Sequence, residues 1–147
     1  VADNIAYGAA GATDAEVQAA VERIGALGVI GTIPGGFNAR VGERGRGLSS
    51  GQRQIIALAR AEMLTPAVLL LDEATATLDP ATERAVLDAS DKAMAGRTSV
   101  VVAHRLATAA RADRILVIDE GRIIEDGCHE DLISAGGRYA HMWAVNR

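Results

Sequence analysis

This sequence of 147 residues is short of the features that mark secreted or membrane-embedded proteins. It has a single cysteine, Cys128, so no disulfide can form within the chain and a reducing compartment is favoured. No stretch approaches the roughly 18 consecutive apolar residues of a membrane-spanning helix. The first residues also lack the basic flank and apolar core of a secretion signal. The sequence therefore predicts a soluble chain.

Positive charge is also scarce. Lysine and arginine number 15 against 19 acidic residues, which gives a net charge of -4 and no general attraction to nucleic acid or anionic lipid. Lys92 is the only lysine, and it does not follow a glycine, so the chain contains no phosphate-cradling loop of the form GxxxxGK[ST]. With 49% hydrophobic residues the chain can still bury a core, and any phosphate binding must be local.

The first half of the chain reads as helices separated by a glycine-rich segment. Thr13 and Glu16 form a capping-box pattern that predicts a first helix of about three turns. Its apolar residues at helical spacing are Val17, Val21, Ile24 and Leu27. Residues 28–47 hold seven of the 16 glycines, which predicts loops and short strands. A second helix is expected from Ser50 to about Met63, with Pro66 ending it.

The second half alternates between strand and helix patterns. The runs "AVLLL" (67–71) and "SVVVA" (99–103) are typical of parallel strands covered on both faces by helices. Between them, Asp79 and Pro80 predict the N-cap and first residue of a helix. "RILVIDEGRIIEDG" (114–127) predicts a β-hairpin, and the last stretch predicts two short helices broken at Gly136-Gly137.

Three residues able to carry out phosphate chemistry follow the two predicted strands. Asp72 and Glu73 end the first strand, and His104 ends the second, so all three are expected at the carboxyl edge of the sheet, where ligands bind in open α/β folds. An aspartate there can hold Mg²⁺ through water, a glutamate can orient an attacking water, and a histidine can hydrogen-bond a terminal phosphate. Solvated acids at a strand end and a loop histidine are the alternatives.

The predicted helix start at "LSSGQ" (48–52) is a second candidate site. A helix N-terminus preceded by small residues offers free N–H groups and a positive dipole end to a phosphate. Ser49 and Ser50 add hydroxyl donors, and Gln52 adds an amide. Taken alone, the pattern favours a plain serine cap on a structural helix, which is the usual meaning of serine before an apolar helical pattern.

Taken together, these stretches resemble the nucleotide-binding domain of an ATP-binding cassette (ABC) transporter. "LSSGQ" resembles the signature motif, "VLLLDEAT" (68–75) the Walker B strand, "TLD" (77–79) the D-loop and "VAHR" (102–105) the switch histidine. "VADNIAYG" resembles the segment after the family's Q-loop, and "RVGERG" (40–45) the loop before the signature in exporter-type members. Four motifs in this order are far more specific than any one of them.

The resemblance implies an α/β fold with a P-loop NTPase-like (RecA-like) parallel sheet core that is incomplete at its N-terminus, and a helical signature subdomain. The expected division is 1–63 for the partial helical signature subdomain. Residues 64–147 would form the Walker B half of the ATPase core with the C-terminal hairpin and helices. An upstream portion of the domain, with transmembrane helices on the same chain, is expected to precede Val1.

The resemblance also implies residue roles. Two domains pair head to tail in this family, so the side chains and amides of Leu48, Ser49, Ser50, Gly51 and Gln52 would face ATP held by the partner domain. Asp72 would carry Mg²⁺, Glu73 would polarise the attacking water, and His104 would contact the γ-phosphate. Asp79 would lie at the dimer seam. The implied location is the cytoplasmic face of the plasma (inner) membrane.

The sequence departs from the family pattern in several places. Ser50 stands where glycine is usual, Ile55 where arginine is common and Thr77 where alanine is frequent. The Walker A loop and the Q-loop glutamine are not in the chain, so the isolated 147-residue chain is expected not to hydrolyse ATP.

Two other functions are compatible with these residues. The chain could be a non-catalytic module that lends its signature helix to an intact ABC ATPase partner, because signature and cradle come from different subunits. A soluble magnesium-dependent phosphohydrolase built on Asp72, Glu73 and His104 would explain the acids but not the signature helix.

Overall fold

The computed structural model describes residues 1–72 and 78–146. Glu73 and Thr77, which the sequence marks as candidate or atypical positions, lie outside the described residues. The described helices are α1 (Ala2–Ile5), α2 (Asp14–Arg23), α3 (Leu27–Gly31), α4 (Ser50–Leu64), α5 (Pro80–Met94), α6 (Leu106–Ala109), α7 (His129–Ala135) and α8 (Arg138–Val145). The described strands are β1 (Val68–Asp72), β2 (Thr98–Val102), β3 (Ile115–Asp119) and β4 (Arg122–Gly127).

The glycine-rich segment between α2 and α4 corrects two expectations. Instead of short strands it forms α3 and two 3-10 turns, Gly36–Asn38 and Glu43–Gly45. Leu27 begins α3 rather than continuing the preceding helix, because that helix ends at Arg23 and Gly25 adopts φ +71°. Glycines with positive φ break the chain direction too often here for a strand to extend.

The strand and helix pattern of the second half is confirmed within one residue at each strand. β1 and β2 are neighbours in a short parallel sheet, connected through α5. Helices were expected to cover both faces of these strands, but the described residues leave one face of the sheet open. The exposed side chains on this face are Val68, Leu70, Val100 and Val102. A continuously apolar run indicates burial on both faces but cannot indicate which segment supplies the cover.

Contacts between Cα atoms divide the chain into two compact units. The first comprises Val1–Leu70 and the described part of Thr75–Val100. Its core lies between α1, α2, α3, α4 and α5, and Ile5, Val21, Ile24, Ile30 and Ile55 are its fully buried large side chains. The capping box of α2 is confirmed: the Glu16 amide donates to the Thr13 hydroxyl, and the Thr13 amide donates to the Glu16 carboxylate.

The second unit comprises the described parts of Leu71–Ala74 and Val101–Arg147. The predicted hairpin is present as antiparallel β3 and β4, joined by Glu120 and Gly121, whose φ values of +46° and +75° fit the tight turn that matches strand twist. The inner face of the hairpin, Ile115 and Val117, packs with Leu132 of α7 and Tyr139 of α8. The two predicted C-terminal helices are confirmed, with the break at Gly136-Gly137.

The division predicted at residues 63 and 64 concerns the subdomains of an intact domain and stays a prediction. No helix among the described residues is both long enough and apolar enough to span a membrane.

Candidate functional site

The start of α4 is closed by a serine cap, as the sequence predicts, and the structure shows that this cap is a full capping box. The Gln52 amide donates to Ser49 Oγ at 3.1 Å, and the Ser49 amide donates to Gln52 Oε1 at 2.9 Å. Ser49 keeps extended backbone angles, as an N-cap residue does. This reciprocal pair satisfies the donors of Ser49 and Gln52 and fixes the direction in which the helix begins.

Within the described ranges, no side chain accepts a hydrogen bond from the backbone amides of Ser50 and Gly51 at the helix start. The first N–H groups of any helix have no acceptor inside it, and at this start only that of Gln52 is bonded to the cap side chain. The amides of Ser50 and Gly51 therefore point off the helix end, at the positive pole of its dipole. A polar anion of phosphate size is the ligand that such an end accommodates.

Gln52 does more than cap the helix. Its Nε2 donates to Thr32 Oγ1 at 3.1 Å, and the Thr32 hydroxyl donates to the Val29 carbonyl oxygen at 2.7 Å. Both ends of the Gln52 amide are therefore engaged within the chain. In this structure Gln52 ties α4 to the C-terminal end of α3, and a contact to an external phosphate would have to come at the expense of one of these bonds.

The loop that precedes the cap is held by a side chain from the helix itself. Arg53 Nη1 donates to the carbonyl oxygen of Leu48 at 2.9 Å. The Leu48 amide donates to the Gly45 carbonyl oxygen at 3.1 Å. Both the amide and the carbonyl oxygen of Leu48 are therefore hydrogen-bonded, and these bonds hold the backbone that leads into residues 49–51. We call these three residues the candidate phosphate end of α4.

Gly51 is buried where α4 meets α5. A Cβ at this position would overlap the Cγ2 methyl group of Thr82 and lie 3.4 Å from Leu78 Cδ2. The absence of a side chain at Gly51 therefore allows the two helix starts to approach each other. Thr82 was missed by sequence reasoning, because nothing in the pattern links residue 51 to residue 82.

Asp79 is the N-cap of α5, as the sequence predicts. Its Oδ1 accepts hydrogen bonds from the amides of Thr82 at 3.0 Å and Ala81 at 3.2 Å. The hydrogen bonds from Thr82, led by that of its side chain, hold the pKa of the Asp79 carboxyl below its ordinary value. Asp79 is therefore anionic at neutral pH and lies within the same unit as the start of α4.

Asp72 and His104 meet where β1 ends and just past the end of β2. Their atoms Oδ1 and Nε2 are 3.3 Å apart, so the expected convergence of the two residues is confirmed. Both side chains are open to solvent, with 78% of the Asp72 side chain and 61% of the His104 side chain exposed. Glu73, the third residue expected here, lies outside the described residues.

The Asp72 carboxylate fits a water-mediated Mg²⁺ site. It is exposed, and Oδ2 is left available while Oδ1 faces His104. Magnesium keeps several waters and commonly takes only one or two carboxylates, with substrate phosphates completing its shell. In the described part of the chain no three acidic, histidine or cysteine residues are grouped to hold a metal by themselves.

A further charged residue, Glu62, lies inside the first unit and was not singled out from the sequence. Among the described residues, Glu62 is the one charged residue that is buried. Each of its two carboxylate oxygens is bonded to an arginine. The signal was present in the sequence, since Glu62 continues the apolar stripe of α4 formed by Ile55 and Leu58. A charge on such a stripe requires a buried partner.

Comparison with known proteins identifies the family. The family model described as "ABC transporter" matches residues 1–76. The chain is 49% identical over 146 residues to the multidrug efflux ATP-binding/permease protein of Mycobacterium bovis, covering 99% of this chain and 12% of that protein. It is 48% identical to ATP-binding cassette sub-family B member 6 of Homo sapiens over its whole length, which is 18% of that protein.

A solved structure agrees with these matches. A bacterial Atm1-family ABC exporter with ATP bound superposes with a TM-score of 0.85 at 45% identity, over 99% of this chain and 25% of that one. The chain thus spans between about an eighth and a quarter of the lengths of these proteins. Its α/β fold is a partial P-loop NTPase fold, matching the nucleotide-binding domain of exporter-type members. The chain belongs to the ABC transporter family.

Proposed function

We propose that this chain is the C-terminal part of an ATP-hydrolysing nucleotide-binding domain that powers an exporter-type ABC transporter. The observation that carries the proposal is the start of α4, where a capping box fixes the backbone and no described side chain accepts from the amides of Ser50 and Gly51. Family membership and the likeness to an ATP-bound exporter structure support it.

In this proposal the chain supplies one half of a composite ATP site. Ser49, Ser50 and Gly51 would receive the terminal phosphate of a nucleotide held by a second nucleotide-binding domain, with Leu48 and Gln52 fixing the loop. Asp79, at the start of the neighbouring α5, would lie at the seam between the two domains. The short distance between Gly51 and α5 supports a common orientation of these two helix starts.

The pair of Asp72 and His104 would supply the contacts to Mg²⁺ and to the γ-phosphate. Asp72 would hold Mg²⁺ through water, and the ion supplies charge neutralisation for the phosphoryl oxygens when bound. His104 would hydrogen-bond the γ-phosphate, for which its exposed ring next to Asp72 is suitably placed. Glu73 would orient the attacking water. The domain would act at the cytoplasmic face of the membrane, attached to a transmembrane domain.

The isolated chain is proposed to be inactive. It has no GxxxxGK[ST] loop, and ATP bound only by a helix end and hydroxyl groups would lack the cradle for its β- and γ-phosphates. Activity is expected only where a second segment supplies that cradle.

The test is a substitution at Ser50 in the native polypeptide that carries this sequence. Ser50→Leu places a branched side chain in front of the two outward amides. We expect ATP turnover to fall by about 100-fold, since removal of oriented donors to a phosphoryl group has effects of this size. Nucleotide affinity is expected to stay within about threefold, because the cradle belongs to another segment. Turnover kinetics and equilibrium nucleotide binding measure the two quantities.

Ser134→Leu is the matched control, because Ser134 is an exposed serine on α7, remote in sequence from the candidate site. It is expected to leave both quantities unchanged. Full turnover in Ser50→Leu, or equal loss of binding and turnover, would contradict the proposed role of the helix start.

A further inference from the structure

The buried carboxylate of Glu62 is bonded to two arginines from different parts of the first unit. Glu62 Oε1 lies 2.7 Å from Arg23 Nε, in the last turn of α2. Glu62 Oε2 lies 2.8 Å from Arg97 Nη2, three residues beyond the end of α5. One carboxylate in the last turn of α4 therefore joins three segments.

Burial makes this cluster sensitive to the loss of the negative charge. The Glu62 side chain is 9% exposed and that of Arg97 17%, whereas that of Arg23 is 52% exposed. Nη1 of Arg97 is also buried and has no hydrogen-bond partner in the described part of the chain. Arg97 thus depends on Glu62 for its counter-charge, and removing one partner of a buried pair leaves the other uncompensated.

The position of Glu62 on α4 gives the cluster a geometric consequence. Glu62 lies twelve residues after Ser50, at the opposite end of the helix from the capping box. At the starts of the two helices Gly51 touches Thr82, and at the other end Glu62 in the last turn of α4 bonds Arg97 just beyond α5. Helices α4 and α5 are therefore fixed to each other at both ends, and Arg23 fixes the pair to α2.

The distance along α4 from Glu62 to Ser50 is long enough for a small tilt of the helix to displace its start. Twelve residues of α-helix span about 18 Å, so a tilt of about 5° at the Glu62 end displaces the start of α4 by about 1.5 Å. A misplacement of about 1 Å in groups that position a substrate can cost about 100-fold in rate.

We propose that Glu62 is a positioning residue for the candidate phosphate end of α4: by binding Arg23 and Arg97 it sets the direction in which Ser49, Ser50 and Gly51 are presented. Its contribution to ATP turnover rests on the proposed function above. Its contribution to helix direction does not, so the two are separable by experiment.

The test uses Glu62→Gln in the native polypeptide, because glutamine keeps the shape and one acceptor oxygen but removes the charge. ATP turnover is expected to fall by about 10-fold, the range for residues that act through packing on a distant site. Nucleotide affinity is expected to remain near that of the unmodified protein. The melting temperature is expected to fall, because Arg97 loses its buried counter-charge, so turnover is measured well below the melting transition and per folded protein. Glu22→Gln, one residue from Arg23 on the exposed side of α2, makes the same charge change and is expected to leave turnover unaltered.

A second variant guards against a general loss of structure. Arg23→Gln breaks only the half-exposed link to α2, and a smaller reduction of turnover is expected, with the fold intact. Unchanged turnover in Glu62→Gln would overturn the inference. So would a loss of turnover that matches a loss of folded protein, since the role would then be stability alone.

A spectroscopic readout does not depend on ATP hydrolysis. Nitroxide labels attached through Gln18→Cys on α2 and Ala57→Cys on α4, both exposed positions, report the distance between these helices by pulsed electron paramagnetic resonance. In Glu62→Gln the distance distribution is expected to shift or broaden, and in Glu22→Gln to stay unchanged. If the unmodified protein hydrolyses no ATP, the proposed function fails while this distance still tests the inference. An unaltered distribution in Glu62→Gln would overturn it.

Discussion

At the scale of single residues, the clearest structural requirement is the missing side chain at Gly51. The position is buried where α4 meets α5, and a Cβ there would overlap the Thr82 methyl group. Gly51 is the second residue of α4, where glycine is at most as unfavourable relative to alanine as in a helix interior, roughly 0.5–1 kcal/mol. Its presence here is explained by the helix contact, in addition to any approach of a phosphate to its amide.

Because of this contact, Thr82→Ser is expected to restore the stability that is lost in Gly51→Ala. Gly51→Ala is expected to destabilise the native polypeptide by about 1–3 kcal/mol, the usual cost of overpacking, partly offset by the better helix propensity of alanine. Thr82→Ser removes the methyl group that the new Cβ meets and keeps the hydroxyl group that bonds Asp79. In the Thr82→Ser background, Gly51→Ala is expected to be neutral or stabilising.

Thermal unfolding of the four proteins of this cycle measures the coupling. Ala57→Gly, the reverse change at an exposed position of the same helix, estimates the propensity contribution alone. Equal destabilisation by Gly51→Ala with threonine or serine at position 82 would show that the overlap is not the reason for the glycine.

At the scale of elements, the three longest of the described helices, α2, α4 and α5, begin where short polar side chains accept hydrogen bonds from their first amides. Thr13, Ser49 and Asp79 each accept hydrogen bonds from amides in the first turn of the helix that follows. All three starts were predictable from the sequence, because the capping pattern is local. The Thr32 contact of Gln52 was not, since it joins residues 20 positions apart through a loop whose course the sequence does not specify.

The cap of α5 predicts a pH dependence with a defined sign. Hydrogen bonds from Thr82 lower the pKa of Asp79 in the folded protein, so the folded state favours the carboxylate. The stabilisation is fully present above the ordinary aspartate pKa of about 4 and is lost as pH falls through the lowered folded pKa.

Asp79→Asn isolates this effect, because asparagine also caps helices but does not titrate. The difference in melting temperature between the unmodified protein and Asp79→Asn is expected to be constant from pH 7 to about pH 5 and to move against the unmodified protein below about pH 4. Because every other group titrates in both proteins, their contributions cancel. A difference that stays constant down to pH 3 would contradict the assignment.

At the scale of the whole molecule, alternation of strand and helix was readable from the sequence, but the cover of the sheet was not. The runs that form β1 and β2 are mostly apolar, yet Leu70 and Val102 are 74% and 58% exposed among the described residues. Composition indicates how much surface a strand can bury, whereas the identity of the covering segment depends on the complete domain. The comparisons agree with this, because the chain spans only part of each related protein.

In the candidate site, too, the sequence pattern predicted some contacts but not those between residues far apart in the chain. Asp72 and His104 were expected to meet because parallel strands end at one edge of a sheet, and their atoms lie 3.3 Å apart. Glu62 carried a visible signal as a charge on an apolar stripe, but its partners could not be named, since Arg23 and Arg97 come from α2 and from the turn before β2.

The measurement that tests the central claim most directly is magnesium-dependent ATP turnover by the native polypeptide, compared with its Glu73→Gln variant, with nucleotide binding measured in parallel. The account predicts that the unmodified protein hydrolyses ATP and that Glu73→Gln loses turnover by about 100-fold or more while nucleotide affinity is retained, since a residue that orients the attacking water acts on the reaction and not on binding. No turnover by the unmodified polypeptide, or equal turnover in both proteins, would contradict the assignment of this chain to a working ATPase site.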